Sequence, residues 1–293
     1  MHTPVLTEEV LMHLPDVASL RMVDATLNGG GHSAAIIEAF PDARILGIEW
    51  DPDVAHAFLQ HRPHLQDAVT VVNDTYVNLE DICRSRSFVP DAVLMDLGIS
   101  SWHVDTSTRG FTFMKDQPLD MRFDPRSGNP TAADVVNTTD EEELIHIFRE
   151  LGEERFAPEI AAAIVHRHRR EPLLTTFQLV QVIAGAVPAG YRHGKLHFAT
   201  KTFQALRMAV NDELGNVQRG IAAALRTLKR PGGRLMIIAF HGGEDRLVRE
   251  LFKEAAREGH ARWVQRRTIR PLWQEMKRNP RARSAKLKIL ETV

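Results

Sequence analysis

Short apolar segments alternate with helical ones over the first hundred residues, and this alternation limits the possible folds more than any other sequence feature. Each apolar segment has five or six residues, the length of a buried strand: Arg21–Thr26, Arg44–Glu49, Ala68–Val72 and Ala92–Asp96. Helical spacing lies between them, as from His32 to Phe40. Because such strands form a parallel sheet with helices on both faces, the pattern predicts a doubly wound α/β fold.

The alternation stops after Asp96 and resumes only near the C-terminus. The segment Thr131–Val187 contains no strand-like pattern and is predicted to form helices near Ala132–Val136, Glu141–Leu151, Pro158–Arg169 and Thr176–Ala184. Strand patterns return at Arg234–Phe240, near Arg262–Arg267 and at Lys286–Glu291. We therefore predict a discontinuous core, residues 1–128 and 199–293, and a helical insert, residues 129–198, that recognises the substrate.

The number of cysteines, the length of the apolar segments and the spacing of the histidines exclude several classes of protein. The single cysteine, Cys83, excludes a disulfide within the chain and favours a reducing compartment. Apolar segments such as Leu235–Phe240 are too short to cross a bilayer, so we predict no membrane partner. His193 and His197 lack a carboxylate at metal-binding spacing, so we predict no metal.

The net charge of −1 conceals an uneven distribution. Residues 261–293 carry ten lysines and arginines against two glutamates, whereas residues 129–198 carry seven basic and ten acidic residues. The basic segment also contains Trp263 and Trp273, which favours a folded surface over a solvated tail. A basic surface with aromatic residues is typical of contact with a nucleic-acid backbone.

The segment Gly29-x-Gly31-x-x-Ala34 follows the first strand and matches the dinucleotide-binding fingerprint. Alone, it is equally typical of a tight strand-to-helix turn. Glu49 ends the next strand, about 20 residues further on, where an acid can bind ribose hydroxyls. Together the two features favour a nucleoside-type cofactor.

Three acids, Asp24, Glu49 and Asp96, end predicted parallel strands and are expected at one edge of the sheet. This negative charge disfavours a pyrophosphate and favours a cationic cofactor, so S-adenosylmethionine is favoured over NAD. His241 follows the late strand and is expected on the same rim. Glu244 and Asp245, just after it, also suit the first turn of a helix.

A series of motifs runs in order through nearly the whole chain. They are His2-x-Pro4-Val5-Leu6, Asp24-x-Thr26 followed by Gly30-Gly31-His32, Asp96-Leu97-Gly98-x-Ser100-Ser101, Arg109-Gly110-Phe111, Pro118-Leu119-Asp120-Met121-Arg122, Gly152-Glu153-Glu154-Arg155, Thr202-Phe203-Gln204-Ala205-Leu206-Arg207, Phe240-His241 with Glu244-Asp245-Arg246, and Asn279-Pro280-Arg281-x-Arg283-Ser284-Ala285. In these motifs the chain resembles the small-subunit ribosomal RNA cytosine-N4 methyltransferases, the RsmH (MraW) family.

The resemblance implies a class I methyltransferase core, with a Rossmann-like sheet and an inserted all-helical domain. It implies S-adenosylmethionine as methyl donor, held by Gly30, Gly31, His32, Glu49, Tyr76, Asp96 and His103. The implied product is N4-methylcytidine in the decoding region of the small-subunit RNA, as naked RNA or in an assembled subunit. It also implies a cytoplasmic protein, or a mitochondrial matrix protein for a processed organellar form, and is compatible with a homodimer.

Six positions depart from the family pattern. Asn28 stands for a glycine, Glu49 for an aspartate, Tyr76 for a phenylalanine, His103 for a glutamine, and Gly242-Gly243 for Ser-Leu. Asn tolerates left-handed backbone, so the turn at Asn28 is expected to form. His103 places one polar cofactor contact in doubt, and the glycine pair is expected to loosen the turn after His241.

Methylation of an amino group requires an acceptor for its protons, and Asp96 is the first catalytic candidate, with Ser100 and His241 as helpers. Trp102, Phe111 and Phe113 are candidates to stack on a flipped base. The arginines predicted to bind RNA phosphates are Arg109, Arg122, Arg207, Arg281 and Arg283. Two alternatives stay open: a non-catalytic RNA-binding ribosome-assembly factor, and an NAD-linked oxidoreductase.

Overall fold

A computed structural model describes residues 4–293, so the predicted motif residue His2 lies outside the described residues. The chain forms two compact units. The first unit contains the chain up to Ser100 together with Leu214–Val293, and the second unit is Ser101–Glu213.

The second unit is larger than the predicted insert, residues 129–198, because segments on both sides of it join its helices. Before the insert, the Gln117 backbone N–H donates to Thr176 Oγ1 at 3.1 Å, and the Leu119 N–H donates to the Leu174 carbonyl at 2.9 Å. After the insert, the helix Thr200–Val210 packs against the helix Glu141–Glu150. These contacts join residues far apart in the sequence, which local patterns do not reveal.

The first unit is built on a seven-stranded sheet, as the strand patterns predict. Its strands are β1 (Arg21–Asp24), β2 (Arg44–Glu49), β3 (Val69–Asn73), β4 (Ala92–Asp96), β5 (Arg234–Ala239), β6 (Ala261–Trp263) and β7 (Lys286–Thr292). Their order across the sheet is β3-β2-β1-β4-β5-β7-β6. The five strands β3, β2, β1, β4 and β5 run parallel to one another, and β7 pairs antiparallel with both β5 and β6. The doubly wound α/β fold is therefore confirmed.

Helices and short 3₁₀ turns connect these strands. Their bounds are Thr7–Met12, Gly31–Ala39, Pro52–His61, Pro63–Leu65, Tyr76–Asn78, Leu79–Ser85, Glu213–Thr227, Gly242–Arg257, Trp273–Arg278 and Pro280–Ser284. Alternate strand residues belong to two apolar cores: Val23, Leu46 and Val93 to one, and Met22 and Ile45 to the other. Burial on both faces explains why these strands are continuously apolar.

The second unit is helical. Its helices are Ser101–Asp105, Ala132–Thr138, Glu141–Glu150, Ala157–His168, Thr176–Ala186, Ala189–Arg192 and Thr200–Val210. Thr131 and Thr175 form capping boxes with Asp134 and Gln178, which satisfy backbone N–H groups at two helix starts. Within residues 4–293, no helix combines the length and apolar character needed to span a bilayer.

Candidate active site

The strand order reverses between β1 and β4, and the acids that end three neighbouring strands lie at this edge. Asp24 is the last residue of β1, Glu49 of β2 and Asp96 of β4. Only 1%, 5% and 7% of their surfaces are exposed, respectively. In parallel sheets the carboxyl edge at such a reversal is where ligands bind.

Asp96 is held firmly but keeps one oxygen available. Its backbone N–H donates to Thr26 Oγ1 at 2.7 Å, and its Oδ2 lies 3.7 Å from His32 Nδ1. The other oxygen, Oδ1, is buried and has no hydrogen-bond partner within residues 4–293. Burial raises the pKa of Asp96 to about 6, although His32 acts in the opposite direction.

Asp24, which ends the neighbouring strand β1, also has one carboxylate oxygen without a donor. Its Oδ2 accepts a 2.6 Å hydrogen bond from the Ser33 hydroxyl. Its Oδ1 is buried, and no other residue of the described chain donates to it. Burial raises the pKa of this carboxyl, against the hydrogen bond from Ser33. Because a buried acceptor without a donor is costly, Asp24 and Asp96 together indicate a ligand that brings donors or positive charge.

Glu49 fixes the glycine turn. Its Oε2 accepts from the Asn28 backbone N–H at 2.7 Å, and its Oε1 accepts from the Asp51 N–H at 2.9 Å. Burial raises the pKa of Glu49 to about 8, against these two hydrogen bonds. Asn28 adopts the left-handed backbone that its type tolerates, with φ of 49°. The turn therefore forms despite the departure at Asn28.

Gly30 and Gly31 bring the backbone close to its neighbours at the start of the helix Gly31–Ala39. Gly30 has φ of 65°, and an added Cβ would lie 2.2 Å from the Phe58 ring. A Cβ on Gly31 would lie 3.0 Å from Pro4, whereas Gly29 has open space. Gly30, which the dinucleotide fingerprint leaves as x, is thus the glycine that the turn requires.

His32 and Tyr76 border the same edge in the first unit. His32 is 6% exposed, and its Nε2 lies 2.9 Å from the Val5 carbonyl. Tyr76 follows β3 in a 3₁₀ turn and is half-buried. Its ring packs so closely on Gly220 that a Cβ there would lie 2.5 Å away.

The predicted helpers Ser100 and His241 have different environments. Ser100 is buried, with 4% of its surface exposed. His241 is the N-cap of the helix Gly242–Arg257: its Nδ1 accepts from the Glu244 N–H at 3.3 Å. Its Nε2 lies 3.1 Å from Glu244 Oε1. Capping therefore accounts for Nδ1 alone, because Nε2 is buried and has no hydrogen-bond partner within residues 4–293. The role of His241 as a helper stays a prediction. The capping box forms despite the glycine pair.

His103 belongs to the second unit and is 3% exposed. Its ring centroid lies 4.9 Å from that of Phe111 and 5.0 Å from that of Phe123. The Phe111 and Phe123 rings stack with an interplanar angle of 11°. This aromatic cluster explains the burial of His103, and its role as a cofactor contact stays a prediction.

The sequence did not reveal that Phe113 stacks on His197. The ring centroids are 4.4 Å apart with an interplanar angle of 12°, and Phe198 stacks on the same imidazole at 4.2 Å. Phe113 is half-buried and His197 is exposed. The segment 191–198 contains few apolar residues, so no local pattern indicated the stack.

Three predicted RNA-binding arginines use their guanidinium groups within the second unit. Arg109 donates to the Arg122 and Phe123 carbonyls at 2.8 and 2.7 Å. Arg122 pairs with both oxygens of Asp120, and Arg207 with both oxygens of Glu213. This disfavours them as phosphate contacts. The remaining two candidates, Arg281 and Arg283, are exposed in the first unit.

Comparisons with known proteins found a family model and relatives that cover nearly the whole chain. A model of the MraW methylase family matches residues 1–293. The ribosomal RNA small subunit methyltransferase H of Carboxydothermus hydrogenoformans is 41% identical over 307 residues, covering 99% of this chain and 97% of that protein. The protein of the same name from Symbiobacterium thermophilum is 41% identical, covering 98% of this chain and 95% of that protein.

A solved rRNA methylase from Streptococcus thermophilus covers 100% of this chain and 99% of its own. It is 12% identical to this chain with a TM-score of 0.45. The fold assignment rests on the strand order described above.

Proposed function

The chain belongs to the MraW methylase family and is an S-adenosylmethionine-dependent methyltransferase, and we propose that it methylates the exocyclic N4 of a cytidine in small-subunit ribosomal RNA. The acceptor is RNA in the small subunit, as the names of the relatives indicate. The decoding region is the proposed location of the cytidine.

The acid edge fits a cationic cofactor. Asp24 and Asp96 each have a buried oxygen that lacks a donor within the described part of the chain, and the helix that begins at Gly31 contacts both acids through Ser33 and His32. We propose that Asp24, Glu49 and Asp96 hold S-adenosylmethionine together with Gly30, Gly31, His32 and Tyr76, while His103 is a further candidate. When bound, the cofactor supplies an electrophilic methyl group on a sulfonium.

The observation that carries the catalytic proposal is the available Oδ1 of Asp96. A cytosine amino group is a weak nucleophile because its lone pair is delocalised into the ring. A carboxylate that accepts an amino proton localises that lone pair and takes up positive charge as it develops on N4. A pKa near 6 keeps Asp96 mainly ionised at pH 7 and able to receive the proton after methylation.

Other residues of the first unit position Asp96. The Thr26 hydroxyl accepts from the Asp96 backbone N–H, and His32 Nδ1 lies beside Oδ2. Oδ1 is therefore the oxygen that remains to face the amino group of the cytidine. Ser100 remains a candidate helper on the loop after β4. His241 also remains a candidate helper, because its Nδ1 caps the helix while its Nε2 is buried without a hydrogen-bond partner within the described residues.

The test is methyl transfer from isotope-labelled S-adenosylmethionine to small ribosomal subunits that lack the modification, followed by nucleoside mass spectrometry. Label in N4-methylcytidine is the expected result. Label in another nucleoside would contradict the acceptor assignment. Absence of label despite cofactor binding would instead favour a non-catalytic assembly factor. Naked small-subunit RNA, tested in parallel, identifies which form is the substrate.

A further inference from the structure

We propose that a surface on the C-terminal segment binds unpaired nucleotides of the substrate RNA. This surface is distinct from the acid edge, where the methyl group is transferred. We name it the Trp273 surface, and it consists of Leu272 and Trp273 with the exposed cations Arg266, Arg267, Arg270, Lys277 and Arg278. The proposal rests on the proposed function, because it assumes that the substrate is RNA.

The first observation is a pair of adjacent exposed apolar side chains. Trp273 is 68% exposed and Leu272 is 63% exposed. The other three tryptophans, Trp50, Trp102 and Trp263, are partly buried. Single exposed apolar residues are common on proteins, but an exposed indole beside an exposed leucine on a folded segment is typical of a binding surface.

The second observation is an excess of positive charge, with five cations and one acid, Glu275, between Arg266 and Arg278. Among the described residues, the five cations of the Trp273 surface form no ion pair. Glu275 is the only acid between Arg262 and Glu291, and its Oε1 accepts from the Leu6 backbone N–H at 2.8 Å. Some exposed cations elsewhere on this unit do have acidic partners, as Arg84 does with Glu80 and Asp81. Charge of one sign beside an aromatic ring complements a phosphate backbone.

The third observation is that the ring and the charge lie together. Lys277 Nζ is 5.3 Å from the centroid of the Trp273 ring. Lys277 thus lies over one face of the exposed indole, and the other face is the one on which a base would stack. An aromatic face and a nearby cation are the two groups that recognise one unpaired nucleotide, since the ring stacks on the base and the cation pairs with the phosphate. Duplex RNA presents no base face to such a ring, so the surface favours single strands or loops.

Contacts within the first unit connect this surface to the acid edge. His32, which lies beside Asp96, is 2.9 Å from the Val5 carbonyl through its Nε2. The next residue, Leu6, donates to Glu275 on the helix Trp273–Arg278. RNA bound at the Trp273 surface would therefore contact a helix that is hydrogen-bonded to the segment Val5–Leu6. The same segment contacts His32 at the acid edge.

The experiment measures binding of a fluorescent single-stranded RNA oligonucleotide from the substrate region, together with kcat and KM on RNA. We expect Trp273→Ala to weaken binding about tenfold, and Trp273→Phe to restore most of it, because base stacking needs an aromatic face. The double variant Arg266→Gln/Arg267→Gln should lower the dependence of log affinity on log salt by about 0.7 for each lost phosphate contact. Arg84→Gln, which removes a paired cation, is the matched control and should bind as the wild type does.

The loss in Trp273→Ala should fall on KM more than on kcat, and retained cofactor binding verifies the fold of each variant. Wild-type affinity for the oligonucleotide in Trp273→Ala would overturn the proposal. Unchanged RNA affinity with a raised KM for assembled subunits would also overturn it, in favour of a ribosomal protein as partner. Failure of the proposed function is a separate result, seen as absence of label in N4-methylcytidine with the wild-type protein.

Discussion

Buried acids at two places in the molecule, one in each unit, are in opposite states. In the second unit, Glu213 has an arginine on both of its oxygens: Arg207 Nε lies 2.6 Å from Oε1 and a second nitrogen 2.9 Å from Oε2. At the sheet edge of the first unit, Asp24 and Asp96 each have a buried oxygen that nothing within residues 4–293 satisfies.

The same contrast appears in the pKa values. Against the effect of burial, hydrogen bonds from Arg122 hold the pKa of Asp120 below its usual range. At the sheet edge, where no lysine or arginine of residues 4–293 pairs with these acids, burial raises the pKa of Asp96 to about 6 and that of Glu49 to about 8. Acids that stabilise the fold are paired with cationic side chains of the same protein. The acids at the sheet edge are instead arranged for a cation that a ligand supplies.

The largest expected effect is the loss of methyl transfer in Asp96→Asn. The amide cannot take up the amino proton, so kcat should fall by about 10²–10⁴-fold, the usual range for a general base. Single-turnover transfer from labelled cofactor measures the effect. Asp120→Asn, an acid that already has an arginine partner, is the comparison. Equal losses in the two variants would remove the distinction between these acids.

The second effect concerns stability rather than chemistry. Glu213→Gln leaves Arg207 without its carboxylate at a site where only 13% of that side chain is exposed. Breaking such a pair should lower the free energy of unfolding by about 3–5 kcal/mol. Chemical denaturation measures it, with Glu171→Gln as control because its pair with Arg167 is exposed and should contribute less than about 1 kcal/mol. A small loss of unfolding free energy in Glu213→Gln would mean that its ion pair with Arg207 does not stabilise the fold.

A smaller effect separates two neighbouring glycines of the turn that Glu49 holds. Gly30→Ala places a side chain at φ of 65° and against Phe58, and should cost about 1–3 kcal/mol of stability from backbone strain alone. Gly29→Ala meets open space and should change stability by less than about 0.5 kcal/mol. Thermal unfolding of the two variants distinguishes them. Equal destabilisation would show that the turn differs from the one described.

The sheet could be predicted from the sequence because strand and helix periodicities are local. The acids at its edge followed from the same reasoning, since each ends a strand. The unit boundaries could not be predicted, because contacts such as that of Gln117 with Thr176 join distant segments. The sequence also did not indicate that Thr26 and Ser33 hold Asp96 and Asp24 through their hydroxyls, although the Asp24-x-Thr26 motif contains one of them.

Two predicted site residues make contacts that their local sequence patterns did not indicate, and their functional roles stay predictions. His241 was predicted on the rim as a helper, but it caps a helix through Glu244, a task usually given to Ser, Thr, Asp or Asn. Arg207 was predicted to bind phosphate, yet its partner Glu213 is six residues later, beyond the spacing that pairs side chains along one helix.

The central claim is that the acid edge accommodates the positive charge of the cofactor, and the most direct test compares binding of S-adenosylmethionine with that of S-adenosylhomocysteine, which lacks the sulfonium charge. Calorimetric titrations between about pH 5 and pH 9, a range that extends about one unit beyond the two raised pKa values, measure both affinities. Because protonated acids do not attract a cation, the preference for S-adenosylmethionine should increase with pH, by up to about tenfold per unit for one coupled proton. A preference that stays constant across this range would contradict the account.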